Sequence, residues 1–181
     1  MNFIFEYKNS FSDLFCDDLI TYFNNKKEFH VINDIHEGGI DRTDTILGCP
    51  AHKSYNENFR PIVDYVIKKH VNELSNKFIF PEKWKITGHK LQKSERGGGF
   101  KNWHIEYNYD YTELATRVLT WSIYLNDVDS GFTDFKFQNK SVKSEKGTLV
   151  IWPAYFTHEH RASTELKSDK YILTGWVNYE R

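Results

Sequence analysis

The sequence predicts an α+β domain whose sheet part is a sandwich or an open barrel. Helical periodicity is confined to roughly the first eighty residues, and short β-rich runs separated by turn signals fill the remainder. Aromatic residues make up 17% of the 181 residues, which favours sheets around a lined cavity over a helical bundle. That length fits one domain able to bury a core without staples. We therefore expect a single domain over 1–181, with a helical part at about 1–80 and a β core at about 84–179.

Residues 3–7 read as a short strand. Ser12 is placed to cap a helix running to about Asn24, with Phe15, Cys16, Leu19, Ile20 and Phe23 on one face. Asp13, Asp17 and Asp18 suit the positive end of its dipole. Residues 30–57 form a long excursion with a short strand or two, where Arg42 is a candidate to touch a substrate. A second helix covers about 59–76. Pro61 lies in its first turn, and Phe59, Ile62, Val63, Val66, Ile67, Val71 and Leu74 lie on its buried stripe; His70, on the same stripe, reads as a satisfied core-edge histidine. From Trp84 the text changes to strands. Trp84-Lys-Ile-Thr-Gly-His-Lys-Leu-Gln92 alternates loosely, and further runs cover 100–107, 117–126, 133–138, 148–152, 157–161 and 170–179. Turn signals stand at Asp129-Ser-Gly131, Glu145-Lys-Gly147 and Lys167-Ser-Asp169.

Charge and targeting signals exclude several classes. The net charge of -1, from 24 basic and 25 acidic residues, gives no surplus for a phosphate backbone, so no nucleic-acid partner is expected. The opening Met-Asn-Phe-Ile-Phe-Glu lacks a basic region followed by an apolar run, and no stretch approaches the roughly 18 apolar residues of a membrane span. A soluble cytoplasmic protein is expected, with Cys16 and Cys49 as free thiols.

One constellation carries chemistry. His104 and Glu106 stand two apart, and on a strand residues i and i+2 project from one face. A third arm lies about fifty residues on, at His158 or, two positions further, at His160. Two histidines and a carboxylate with open positions suit non-haem Fe(II) that activates oxygen.

Further motifs surround this set. Arg117-Val-Leu-Thr-Trp-Ser-Ile-Tyr-Leu-Asn-Asp127, Gly131-Phe-Thr-Asp-Phe135, Lys146-Gly-Thr-Leu-Val-Ile-Trp-Pro153, His158-Glu159 and Lys170-Tyr-Ile-Leu-Thr-Gly-Trp176 follow one another in this order. Together, over about residues 10–25 and 84–178, they resemble the 2-oxoglutarate- and iron(II)-dependent dioxygenases, in particular the prolyl 4-hydroxylase-like group. The resemblance implies a double-stranded β-helix, a jelly-roll or cupin-like barrel with N-terminal helices packed on its major sheet. It implies His104, Glu106 and His158 as iron ligands, with His158 preferred for its spacing from Pro153 and the following Glu159. It implies Lys170 as the partner of the distal carboxylate of 2-oxoglutarate, with Tyr124 and Thr174 hydrogen-bonding the same group. Departures are Glu106 where the family more often has Asp, Phe132 in place of a second glycine, and the doubled histidine at 158 and 160.

The implied reaction consumes molecular oxygen and 2-oxoglutarate, releases succinate and carbon dioxide, and hydroxylates a prolyl or other peptidyl residue. The alternatives are a free amino acid or other small molecule as substrate, or a cupin-like metal protein that uses no 2-oxoglutarate. Arg96 and Trp103, beside the Gly97-Gly98-Gly99 run, are expected to face the substrate together with Arg42.

Overall fold

The computed structural model describes residues 2–107 and 114–180. Its centre is β11 (Lys170–Tyr179), a ten-residue strand hydrogen-bonded on both sides. One neighbour is β6 (Arg117–Tyr124) and the other is β4 (Trp84–Ser94). The large antiparallel sheet extends beyond β6 through β9 (Leu149–Pro153) to β1 (Phe5–Tyr7), and beyond β4 through β3 (Arg42–Gly48) to β2 (Val31–Ile35). The two-residue β5 (Gly99–Phe100) pairs with β3. A smaller sheet has the order β10 (His160–Ala162), β7 (Val128–Phe135), β8 (Lys140–Ser144). The two sheets form the curled half-barrel of a double-stranded β-helix.

Helix α1 (Asp13–Asn24) starts where the sequence says it should, with the Ser12 hydroxyl accepting from the Phe15 N–H. Its buried residues Cys16, Leu19 and Phe23 recur at three- and four-residue spacing. Helix α3 (Arg60–Ser75) buries Val63, Ile67, Val71 and Leu74. These stripes join one core with Leu91, Trp121, Ile123, Leu173 and Val177 from the large sheet. Each fully buried side chain of this size stabilises by roughly 1.5–3 kcal/mol. His70 sits at the core edge, stacked on Tyr7 at 3.7 Å and paired with Glu73. A second cluster of Ile4, Tyr124, Phe135, Val142, Val150 and Trp152 involves strands of both sheets.

Several expectations need correcting. The strand expected at 3–7 and the one or two expected within 30–57 are β1, β2 and β3 of the large sheet, but a short helix, α2 (Lys53–Asn58), was not expected before α3. Strand β8 was not anticipated. The expected turn at 129–131 lies inside β7, as an irregularity where Val128 pairs with Ser144 and Phe132 with Lys143. The strand expected over 100–107 is mostly irregular: beyond β5 only His104 makes a bridge, to His160. The strand expected over 157–161 divides into a 3₁₀ turn (Phe156–His158) and β10.

Strand β4 has a bulge that explains its loose alternation. Thr174 pairs with Lys90, but Trp176 pairs with Thr87, so β4 has one residue more than β11. Gly88 and His89 both have positive φ, at 90° and 55°. A side chain on Gly88 would run into Gly175 and the Trp176 ring, so glycine is required for space as well as for φ. His89 is held by the Tyr55 hydroxyl on Nδ1 at 2.8 Å and by Asp64 beside Nε2 at 3.0 Å. The extra residue lets Ile86 and Leu91, five apart, share the helix-covered core.

Cys16 and Cys49 are free and buried; burial pushes their thiols up to about 11 and about 12, which keeps them protonated. Among the described residues, no helix is long and apolar enough to cross a membrane.

Candidate metal centre and cosubstrate cavity

The cavity-facing side of the large sheet is built by period-two alternation. Ser122 on β6, Lys170, Ile172 and Thr174 on β11, and Lys90, Gln92 and Ser94 on β4 line a cavity of about 300 Å³. Their sequence neighbours Trp121, Ile123, Leu173 and Leu91 point into the helix-covered core.

At one end of the cavity, His104, Glu106 and His160 offer ligand atoms that all lie within 4.8 Å of one another. His104 and His160 are direct cross-strand neighbours. Each backbone N–H donates to the other's carbonyl at 2.9 Å, and the two rings lie 4.4 Å apart. Glu106 is fixed by its own N–H and that of Tyr107, both donating to the Ala154 carbonyl. The ring nitrogens are sorted by their partners. Nδ1 of His104 meets the Asn102 carbonyl and Nδ1 of His160 meets the His158 carbonyl, each at 2.9 Å. A carbonyl only accepts, so Nδ1 carries the proton and Nε2 keeps its lone pair. Both Nε2 atoms face Glu106 Oε1, at 3.7 and 3.6 Å. The other carboxylate oxygen, Oε2, accepts from the Trp176 indole at 3.0 Å and from Arg117 at 3.3 Å. Arg117 itself lies 3.4 Å from the centre of the Trp176 ring. Burial alone would raise the Glu106 carboxyl, but without a metal, protons on Nε2 of His104 and His160 hold it well below the usual carboxylate range, and a bound metal takes the place of those protons. Two lone-pair nitrogens and one anionic oxygen turned to one point, each backed by a partner on its far side, fit a divalent transition metal.

His158 does not belong to this group, which corrects the sequence expectation. It ends the 3₁₀ turn, so the two-residue spacing that would place 158 and 160 on one strand face does not apply. Its Nε2 meets the Asn2 carbonyl at 2.9 Å, and burial lowers its pKa, consistent with a neutral structural ring. The residue that converges with His104 and Glu106 is His160.

At the other end, the Lys170 ammonium donates to the Phe132 carbonyl at 3.1 Å and lies 5.1 Å from the centre of the Tyr124 ring. No described carboxylate forms an ion pair with it. Burial lowers its pKa to about 8, opposed by the charge of Asp134. A buried cation with donors left over suits an incoming carboxylate. Tyr124 is fully buried, and its hydroxyl donates to Thr133 Oγ1 at 2.8 Å. Thr133 is the residue that lines the cavity there. Thr174 also lines it, but its one proton goes to the Trp121 carbonyl while Ser122 donates into its oxygen. In this arrangement Thr174 has no donor for a carboxylate, and the direct contact expected of it is not made ready.

Of the expected substrate-facing residues, only Arg42 lines the cavity, fixed by Asp44 at 3.0 Å. Arg96 is exposed in the turn after β4, and Trp103 packs beneath Arg161 at 4.3 Å and Lys136 at 5.8 Å; neither is part of the wall. Sequence reasoning missed Lys90, Arg117, Thr133 and Trp176. Its available signal was a charged or polar residue at alternate positions of otherwise apolar strands.

The donor set and the buried ammonium suit an oxygenase-type metal centre with a place for a keto diacid. The sequence model of the 2OG-Fe(II) oxygenase superfamily matches residues 89–178. The chain belongs to that superfamily and is an Fe(II)- and 2-oxoglutarate-dependent dioxygenase; the cupin-like reading without 2-oxoglutarate is not favoured. No match was found among curated protein sequences. Among solved structures, the chain is similar to the viral collagen prolyl hydroxylase of Paramecium bursaria Chlorella virus-1 in its 2-oxoglutarate complex, at 18% identity and a TM-score of 0.70, covering 99% of this chain and 97% of that one. A Pseudomonas putida prolyl-4-hydroxylase gives 15% identity and a TM-score of 0.72, over 99% and 94%. A Trichoplax adhaerens prolyl hydroxylase, solved with a peptide fragment of hypoxia inducible factor, gives 16% and 0.68, over 98% and 84%.

Proposed function

We propose that this dioxygenase hydroxylates a prolyl or other peptidyl residue, with His104, Glu106 and His160 as iron ligands. The observation that carries the ligand set is the pair of Nδ1–carbonyl hydrogen bonds, which turn both Nε2 lone pairs toward Glu106. Bound Fe(II) supplies the oxygen activation that couples decarboxylation of 2-oxoglutarate to C–H hydroxylation. The chain's own part is positioning. Trp176 and Arg117 hold Glu106 Oε2, which would leave the other oxygen, Oε1, for a metal. Lys170 receives the distal carboxylate of the cosubstrate, backed by Tyr124 and Thr133, and the Ser122–Thr174 hydroxyl pair forms the adjoining floor. The peptide preference is supported by the fold shared with prolyl hydroxylases, one of them solved with a peptide. The alternative, a free amino acid as substrate, is less favoured than the peptide. The free, buried thiols support a cytoplasmic setting.

Comparing His160→Ala with His158→Ala tests the centre. The first is expected to abolish stoichiometric Fe(II) or Co(II) binding and 2-oxoglutarate-dependent succinate release. The second is expected to keep metal binding. The reverse pattern would sink this ligand set. A screen of peptides and free amino acids for stimulated succinate release decides between the two substrate readings.

A further inference from the structure

Lys90 is a second cation in the cavity, and the centre described so far makes no use of it. Its side chain lines the cavity wall and lies 5.8 Å from the centre of the Trp176 ring. The arginines around the cavity have carboxylates close by: Arg42 has Asp44 at 3.0 Å, Arg161 has Asp134 at 3.7 Å and Arg117 has Glu106 at 3.3 Å. Lys90 makes no ion pair or hydrogen bond with any of the described side chains. Burial lowers its pKa, only partly offset by the charges of Glu106 and Asp44 and worsened by Arg42 and Arg117.

Lys90 and Lys170 stand apart along the cavity wall. Lys170 stands opposite Ser94 and Lys90 opposite Thr174, so four residues of strand separate them, about 13 Å at the usual rise. Lys90 is at the metal end, where the substrate must come. Once a metal engages Glu106 and neutralises the cosubstrate carboxylate nearest it, the charge left near Lys90 is that of Asp44, which Arg42 already holds, so Lys90 faces the substrate side without an ion pair of its own.

We propose that Lys90 anchors a carboxylate of the substrate, so that the peptide this enzyme modifies carries an acidic group beside the residue that is hydroxylated. This rests on the peptidyl reading above and narrows it to acidic peptides. A charge-assisted hydrogen bond in such a site is worth about tenfold or more in affinity.

The test uses the full chain loaded with Mn(II) and 2-oxoglutarate, and measures equilibrium binding by calorimetry. Matched ligands are prolyl peptides with Glu or Gln beside the proline, the same peptides with a free or amidated C-terminus, and proline against prolinamide. Wild-type protein is expected to bind the acid of at least one pair about tenfold or more tighter than its neutral twin. That preference should vanish in Lys90→Met and return in Lys90→Arg, with melting curves confirming that both variants fold. Equal affinity for every twin pair, or a preference that survives in Lys90→Met, overturns the role of Lys90. Binding and discrimination confined to proline and prolinamide would overturn the peptide reading while keeping the anchor. Absence of binding in every pair overturns both.

Discussion

The two faces of the central strands are written in the same residues and do opposite work. On β11, Leu173 and Val177 enter the core under the helices, while Lys170 and Thr174 face the cavity. On β6, Trp121 and Ile123 are buried against the helices, and Ser122 between them faces inward. The cavity side is scarcely more open, since Lys170, Thr174 and Ser122 are all below 9% exposed. Burial therefore does not separate the faces; what separates them is whether a buried group has an apolar neighbour or an unmet electrostatic need. The core face sets stability, and the cavity face holds groups whose partners arrive with ligands.

Substitutions on each face are expected to separate these roles. Leu173→Ala should cost about 2–5 kcal/mol of stability, read by denaturant unfolding. A loss below about 1 kcal/mol would show that the helix side is not the stabilising face. Lys170→Met should raise the 2-oxoglutarate concentration required for succinate release by about 100-fold, while the melting temperature holds or rises, because a buried charge is replaced by an apolar chain of similar length. An unchanged requirement would remove Lys170 from the cosubstrate site.

A titration sharpens the same contrast without mutation. The Lys170 pKa of about 8 lies below the roughly 10.4 of an unfolded lysine, so between these values the unfolded chain binds more protons. This group therefore makes the cosubstrate-free protein more stable as pH rises from about 8 to about 10.4. Affinity for 2-oxoglutarate should move the other way, falling by up to about tenfold per pH unit above 8. Opposite signs in the two measurements are expected, and equal signs would contradict the assignment. The smallest effect is expected for Ser122→Ala, on the order of 1 kcal/mol in stability, since Thr174 keeps its bond to the Trp121 carbonyl.

The core face was legible in the sequence because its signal is periodic. Ser12, Cys16, Leu19 and Phe23 define α1 by spacing alone, and β11 has the bounds expected of it. The cavity face was legible only where a residue was out of place, as Lys170 was at the head of an apolar strand. His158 was preferred to His160 for its spacing from Pro153 and the following Glu159, and local sequence does not show that 156–158 form a 3₁₀ turn and that β10 begins at His160. Arg117 and Trp176 escaped notice because their partner, Glu106, is distant in the chain and meets them only through sheet pairing. The alternation of Lys90, Gln92 and Ser94 was visible, but the preceding Gly88 and His89 break its phase.

That phase break has an evolutionary edge. Deleting Gly88 would leave every β4 side chain chemically intact yet invert the strand on one side of the cut. Lys90 and Gln92 would then be driven against the helices, or Ile86 out into the substrate chamber. One codon thus decides which way the wall is facing, and a lineage that lost it would have to rebuild the chamber from the opposite set of residues.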